Sequence, residues 1–251
     1  MSSAPAPQFA QNIENQLHTA HALTMNITEI AVLQLKSPRL DQNFLDAAKQ
    51  SLVIQNEWHI TNFPNLPSTL AERASHCFQQ IEEPGRILIT AKWESVESHW
   101  KWIGSRENIE VMESLGQYFV SGSPDDMVLL HVDADIFGSG AVDSHGESNR
   151  LLDSPAVSVE RMFIDAGKKD EFIRKLGAIQ ELLKEATAPH LVQGGWRLDG
   201  DSVGRQEYVL VTGWNTIQEH VKFRQSQHAS QYEEITQLAA QTEMRHFKRF
   251  L

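Results

Sequence analysis

The sequence predicts an α+β protein built from two β-α-β-β-α-β units in tandem, packed sheet to sheet around a small-molecule pocket. Three observations carry this. The order of strands and helices repeats across a stretch rich in Gly, Ser, Asp and Asn. The two halves align in residues as well as in order. Their central strands are apolar on both faces, so each sheet needs a cover on the side its own helices leave bare.

Residues 1 to 23 read as a polar arm with a short helix around Phe9 to Leu23. The first unit spans 24 to 137. Ile27 to Lys36 is rich in β-branched residues and reads as a strand. Leu40 to Trp58 reads as a helix, and Pro64 and Pro67 break regular structure beyond its end. His76 to Gln80 and Arg86 to Trp93 form a hairpin through Glu83-Pro84-Gly85. Ser95 to Phe119 is helical with a break near Gly104-Ser105, and Met127 to Asp133 is the fourth strand. Residues 138 to 154 read as the linker.

The second unit, 155 to 251, repeats the order. Ala156 to Asp165 is a strand. Lys168 to Ala186 is a helix with Phe172, Leu176, Ile179 and Leu183 on one face. Leu191 to Leu198 and Gln206 to Trp214 are strands joined through Asp199-Gly200-Asp201. Thr216 to Ala240 is helical, and Thr242 to Phe250 is the last strand.

Ile87 to His99 aligns without a gap on Tyr208 to His220, matching Trp93 with Trp214 and His99 with His220. Phe44 pairs with Phe172, His76 with His190, and His131 with His246. Matches in one order read as duplication. In Arg86 to Trp93, alternation puts Ile87, Ile89, Ala91 and Trp93 on one side and Leu88, Thr90 and Lys92 on the other. Pairing two bare sheet faces removes both from water, at about 25 cal/mol per Å² of apolar area.

The segments ITAKWESVESHW and VTGWNTIQEHVKFRQSQH resemble the dimeric α/β-barrel superfamily of ferredoxin-like units, of the antibiotic-biosynthesis-monooxygenase and stress-responsive types. The resemblance covers 25 to 135 and 155 to 251. It implies that two units, usually a homodimer, here pair within one chain. It also implies cofactor-free monooxygenase, cyclase or isomerase chemistry, or a binding role without reaction. An open barrel interior would mark an enzyme, and a packed one a scaffold.

Trp93 and Trp214 end their strands. They read as plugs with the indole N–H on a carbonyl, or as pocket walls that stack on a flat substrate. His99 and His220 lie one turn into their helices; a T-x-x-E capping box fixes one start at Thr216. Each reads as a histidine satisfied by a neighbour, or as a general base. His228 and Tyr232 are four apart and would share a helix face. The polyketide-cyclase branch pairs a helix histidine with a tyrosine here, although there the tyrosine comes first. Arg224 adds a cation, and the first half has Ile103, Glu107 and Val111 where the second has Arg224, His228 and Tyr232. The expected catalytic set is therefore His220, His228 and Tyr232, with Trp93, His99, Trp214 and Arg224 binding substrate.

The formal charge of −11 argues against a nucleic-acid footprint, which needs clustered Lys and Arg. No metal-ligand spacing or glycine-rich nucleotide loop occurs, and the haem ligand set of related enzymes cannot be placed, so no cofactor and no metal are expected. Cys77 is the single cysteine, which excludes an internal disulfide. With no signal peptide or span in view, a cytoplasmic protein without membrane contact is expected. A homodimer of the whole chain stays open. The expected function is a small-molecule enzyme acting on a flat, apolar, polyketide-like substrate by cyclisation, isomerisation or cofactor-free oxygenation. The alternative is a non-catalytic binding or stress-related barrel.

Overall fold

The structure is a computed structural model and describes residues 27–64, 68–120, 127–138, 151–199 and 204–251. The expected arm and its helix, Pro67, most of the linker and Asp201 lie outside these ranges. The first half runs β1 (Ile27–Gln34), α1 (Gln42–Asn62), β2 (His76–Gln80), β3 (Arg86–Trp93), α2 (Val96–Ile103), α3 (Arg106–Leu115) and β4 (Met127–Val132). The second runs β5 (Ala156–Asp165), α4 (Lys169–Thr187), β6 (Val192–Trp196), β7 (Arg205–Trp214), α5 (Ile217–Arg224), α6 (Ala229–Thr236) and β8 (Ala239–Arg249).

The strands form one antiparallel sheet in the order β4-β1-β3-β2-β8-β5-β7-β6. Its two ends meet: Val132 bridges Arg197, and Asp133 N donates to Trp196 O at 3.0 Å. The sheet therefore closes into a barrel, with one seam at β2/β8 and the other at β4/β6. Gly195 permits the second seam, because a Cβ there would lie 2.5 Å from Asp133 Oδ1 and 2.7 Å from Val132 Cγ1.

Alternation sorts the strands as the sequence predicts. Leu88, Val209 and Val211 point into the barrel with Ile30, Phe78 and Phe247. Ile87, Ala91, Trp93, Leu210 and Trp214 face the helices. The interior is filled. After β4, the Thr28 hydroxyl donates to Ala134 O at 2.6 Å and accepts from Ile136 N at 2.9 Å. That turn delivers Ile136 and Phe137 into the barrel, where Phe137 packs on Phe78 at 5.7 Å. Leu151 and Leu152, read as linker, enter the same core and are buried. The expectation of a pocket between the two sheets is thus corrected: large apolar side chains occupy that space, so the barrel interior has the packed character expected of a scaffold, and a ligand site must lie outside it.

Three local expectations also change. The helix read across 216 to 240 is two helices, because Ser226 Oγ bonds Phe223 O at 2.7 Å and takes His228 N at 3.2 Å, diverting the backbone. The last strand starts at Ala239, not Thr242. The register sets His76 opposite Thr90 and Gln193 opposite Val211, each three residues before its strand's tryptophan. Gln193, not His190, therefore corresponds to His76. The break at Gly104-Ser105 is present, with Ser105 Oγ capping α3 through Asn108 N at 3.1 Å.

Candidate functional site: a cavity in the first half

A cavity of about 310 Å³ lies between the sheet and helices α1 to α3 of the first half. That is the lower end of the size of small-molecule sites, roughly 300–1,000 Å³. Its walls are apolar, with Phe44, Leu52, Trp102 and Leu115 deep and Trp100, Met112 and Met127 at exposed positions. The polar lining includes Glu29, Ser51, Gln55, Cys77, His99 and Asn108.

Glu29 is the chemically notable group. Strand alternation places it with Ile27, Ala31 and Leu33 on the helix-facing side of β1, and it is 5% exposed. Trp93 Nε1 donates to its Oε2 at 2.7 Å, and His99 Nε2 lies 3.4 Å from the same oxygen. Burial pushes its pKa from 4.5 up to about 7, against the Trp93 hydrogen bond and the charges of His131 and Arg73, which pull it down. Burial likewise drives the Cys77 thiol up to about 12, so it is an inert wall rather than a nucleophile.

Behind Glu29 a chain of hydrogen bonds runs to the surface. His99 Nδ1 meets His131 Nε2 at 2.6 Å. His131 Nδ1 meets Asp199 Oδ2 at 2.7 Å, and the His131 backbone N–H donates to Asp199 Oδ1 at 2.9 Å. Asp199 follows β6 and so comes from the second half, across the β4/β6 seam. Burial, then the charge of His131, holds the His99 pKa down at about 3. Partial burial would raise Asp199, yet the ring and backbone hydrogen bonds of His131, with Arg197 nearby, keep it at about 2.

The second half carries a matching chain. His220 Nδ1 meets His246 Nε2 at 2.9 Å, and His246 Nδ1 meets Glu82 Oε1 at 2.5 Å across the other seam. Glu82 lies in the β2–β3 hairpin, as Asp199 lies after β6. Burial, then His246 and Arg224, lowers His220 to about 3. The position matching Glu29, two residues past the partner of the strand-end tryptophan, is Ser158.

The sequence-predicted residues separate into several clusters. His99 lines the cavity. Trp93 is fully buried and stacks on His99 at 4.5 Å, outside the lining; Trp100 and Trp102 form the aromatic wall instead. Trp214 stacks on His220 at 4.5 Å and donates to Thr212 Oγ1 at 2.7 Å, a hydroxyl where a carbonyl was expected. Tyr232 is buried and donates its hydroxyl to Glu160. Arg224 lies over the Tyr232 ring at 4.8 Å, with Nη1 3.7 Å from Glu160 Oε1. His228 is the N-cap of α6, makes no capping hydrogen bond with its side chain, and packs on the Phe223 ring that Tyr232 meets edge-on from the same helix. The structure does not bring His220, His228 and Tyr232 together. Sequence reasoning missed Glu29, Asp199 and Glu82. The available signal for Glu29 was a lone carboxylate on the otherwise apolar face of ITEIAVLQL.

The architecture is that of the dimeric α/β-barrel class, with both units in one chain. No family model and no curated protein matches the chain. Solved structures share its fold. An anthrone oxidase-like protein matches at a TM-score of 0.58 and 11% identity, over 92% of this chain and 93% of that one. A candidate monooxygenase from Fusobacterium nucleatum matches at 0.56 and 10%, over 91% and 94%. Another from Lactobacillus acidophilus matches at 0.54 and 8%, over 90% and 94%. Among the described residues no helix is long and apolar enough to cross a membrane.

Proposed function

We propose that this chain is a small-molecule enzyme without a tightly bound cofactor, which takes a flat, apolar, oxygenated substrate into the first-half cavity and uses Glu29 as its acid/base. The observation that carries this is a buried carboxyl on the floor of an apolar cavity, with its pKa moved from 4.5 to about 7. A general base works best with a pKa near the operating pH. Carboxyls with pKa values perturbed by burial inside a cleft are enriched at functional sites.

As the carboxylate, Glu29 takes a proton from carbon beside a ring carbonyl and leaves an enolate or phenolate. Reprotonation at another carbon gives isomerisation, internal attack gives cyclisation, and reaction with molecular oxygen gives cofactor-free oxygenation. The name of the anthrone oxidase-like neighbour suits this reading, since an anthrone is a flat tricyclic ketone with an acidic C–H. The reactive groups then belong to the first half, and the second-half set of His220, His228 and Tyr232 becomes structural. The alternative, a binding barrel without chemistry, shares the cavity but has no use for the poised carboxyl.

The test uses anthrone as probe, in deuterated buffer without oxygen, with exchange of its methylene protons followed by NMR. Wild-type protein should accelerate exchange over buffer, with a rate that rises through about pH 7 as Glu29 ionises. Glu29→Gln should lose roughly 10²- to 10⁴-fold while still quenching the fluorescence of Trp100 and Trp102 on binding. Binding by wild type with no exchange above buffer would leave the non-catalytic reading in its place.

A further inference from the structure

We propose that Glu29, His99, His131 and Asp199 form a proton relay from the cavity floor to the surface, so that the second half supplies a positioning residue for chemistry in the first. This rests on the acid/base reading of Glu29.

The hydrogen-bond chain allows few proton arrangements. The Asp199 carboxylate accepts from both the backbone N–H and the Nδ1–H of His131. His131 Nε2 then carries a lone pair, and His99 Nδ1, 2.6 Å away, must donate to it. His99 Nε2 is left with a lone pair facing Glu29 Oε2 at 3.4 Å, which suits a protonated Glu29.

A second arrangement holds the same number of protons. The Glu29 proton moves to His99 Nε2 while the His99 Nδ1 proton moves to His131 Nε2. His99 ends neutral and His131 ends as imidazolium beside the Asp199 carboxylate. No charge settles on His99, which burial in the Trp93 stack disfavours. The side chain of Asp199 is 22% exposed, so the far end of the relay meets water. Other charged or titratable groups face the relay: Arg73 and Cys77 toward Glu29, and Arg197 at 3.4 Å from Asp199 Oδ1.

The second-half chain, His220–His246–Glu82, has the same connectivity, but the register position of Glu29 is there taken by Ser158. Its carboxylate therefore orders two histidines without a reacting group at the end, and it serves as an internal control.

The experiment replaces Asp199 with Asn and reads histidine tautomers by nitrogen-15 NMR of the whole protein, with no substrate present. Asn places an N–H₂ opposite His131 Nδ1, which must then accept. His131 becomes the Nε2–H tautomer and donates to His99 Nδ1, so both rings invert, while His220 and His246 do not. In wild type the shared proton should sit on His99 Nδ1, with a coupling across the bond to His131 Nε2. In the anthrone exchange assay Asp199→Asn should slow turnover by roughly 10²-fold with KM little changed, and Asp199→Glu should recover part of it. Wild-type tautomers opposite to these, or rings that keep their tautomers in Asp199→Asn, would overturn the relay. Inverted tautomers with undiminished exchange would show a structural chain, and also overturn it. Absence of exchange in wild type itself overturns the acid/base reading instead. If Asp199→Asn does not fold, the wild-type coupling and tautomers still decide the proton arrangement.

Discussion

Cut at residue 145 and expressed separately, neither half is expected to unfold cooperatively as a monomer. The barrel core is shared. The second half contributes Val157, Val159, Val209, Val211 and Phe247, packed against Ile30, Phe78, Leu88 and Phe137 of the first. Burying an aliphatic or aromatic side chain is worth about 1.5–3 kcal/mol, so uncovering those five costs on the order of 10 kcal/mol. That matches the whole stability of an ordinary domain, about 5–15 kcal/mol. Separation also frees both seams and strips His131 of Asp199 and His246 of Glu82. Analytical ultracentrifugation with urea unfolding checks this. Aggregated, non-cooperative or self-paired fragments are expected, and a monomeric fragment with a sharp transition would refute the shared core.

Acidification should unfold the intact protein steeply below about pH 4.5. Burial lowers His59, His99 and His220 from 6.5 to about 3. Below pH 6.5 the unfolded chain takes up three protons that the folded one refuses, so their stability contribution, present above pH 6.5, is lost as pH falls toward 3. Glu29, raised to about 7, acts in the opposite sense: its contribution is full below pH 4.5 and is lost as pH rises through 7. Glu160 is raised in the same direction by burial. Between pH 6.5 and 4.5 Glu29 offsets one of the three histidine protons, leaving roughly two, or about 2.7 kcal/mol per pH unit, and the raised Glu160 reduces this further. Below 4.5 the offset ends and the slope rises to about 4 kcal/mol per unit. Asp199 and Glu82, both held below the ordinary carboxyl range, add to it. Urea midpoints from tryptophan fluorescence, taken between pH 7 and 3.5, measure this. A flat profile would mean that these histidines are hydrated in the folded state.

Much of the fold was legible because it is encoded locally. Alternation in Arg86 to Trp93 set Trp93 and Leu88 on opposite faces, as observed. The Gly104-Ser105 break was visible because glycine followed by serine is both a stop and a cap. The break at Ser226 lacked such punctuation and was read through. The matched histidines were legible too: His99 with His131 and His220 with His246 occupy corresponding places in the two halves.

The site was only partly legible. Abundance of titratable groups in the second half pointed to His220, His228, Tyr232 and Arg224. Two of these are tied up with Glu160, and one sits at a helix cap. The cavity instead lies where side chains are apolar and the one conspicuous group is a single glutamate. Counting polar residues cannot find that, because burial, which outweighs the few polar groups beside it, is what raises the pKa of Glu29.

The sequence by itself determined the order of elements, the two-faced strands, the need for one half to cover the other, and the matched Trp and His positions at and after the end of each long strand. Periods of 2 and 3.6 and short-range turn chemistry encode all of these. Tertiary structure alone decided that the barrel interior is filled, that the cavity opens under the helices of one half, and that Asp199 and Glu82 reach across opposite seams to His131 and His246. Each of those contacts spans 68 residues or more. Closure of the barrel sets them, and desolvation, a property of the packed surroundings, sets the acidity of Glu29.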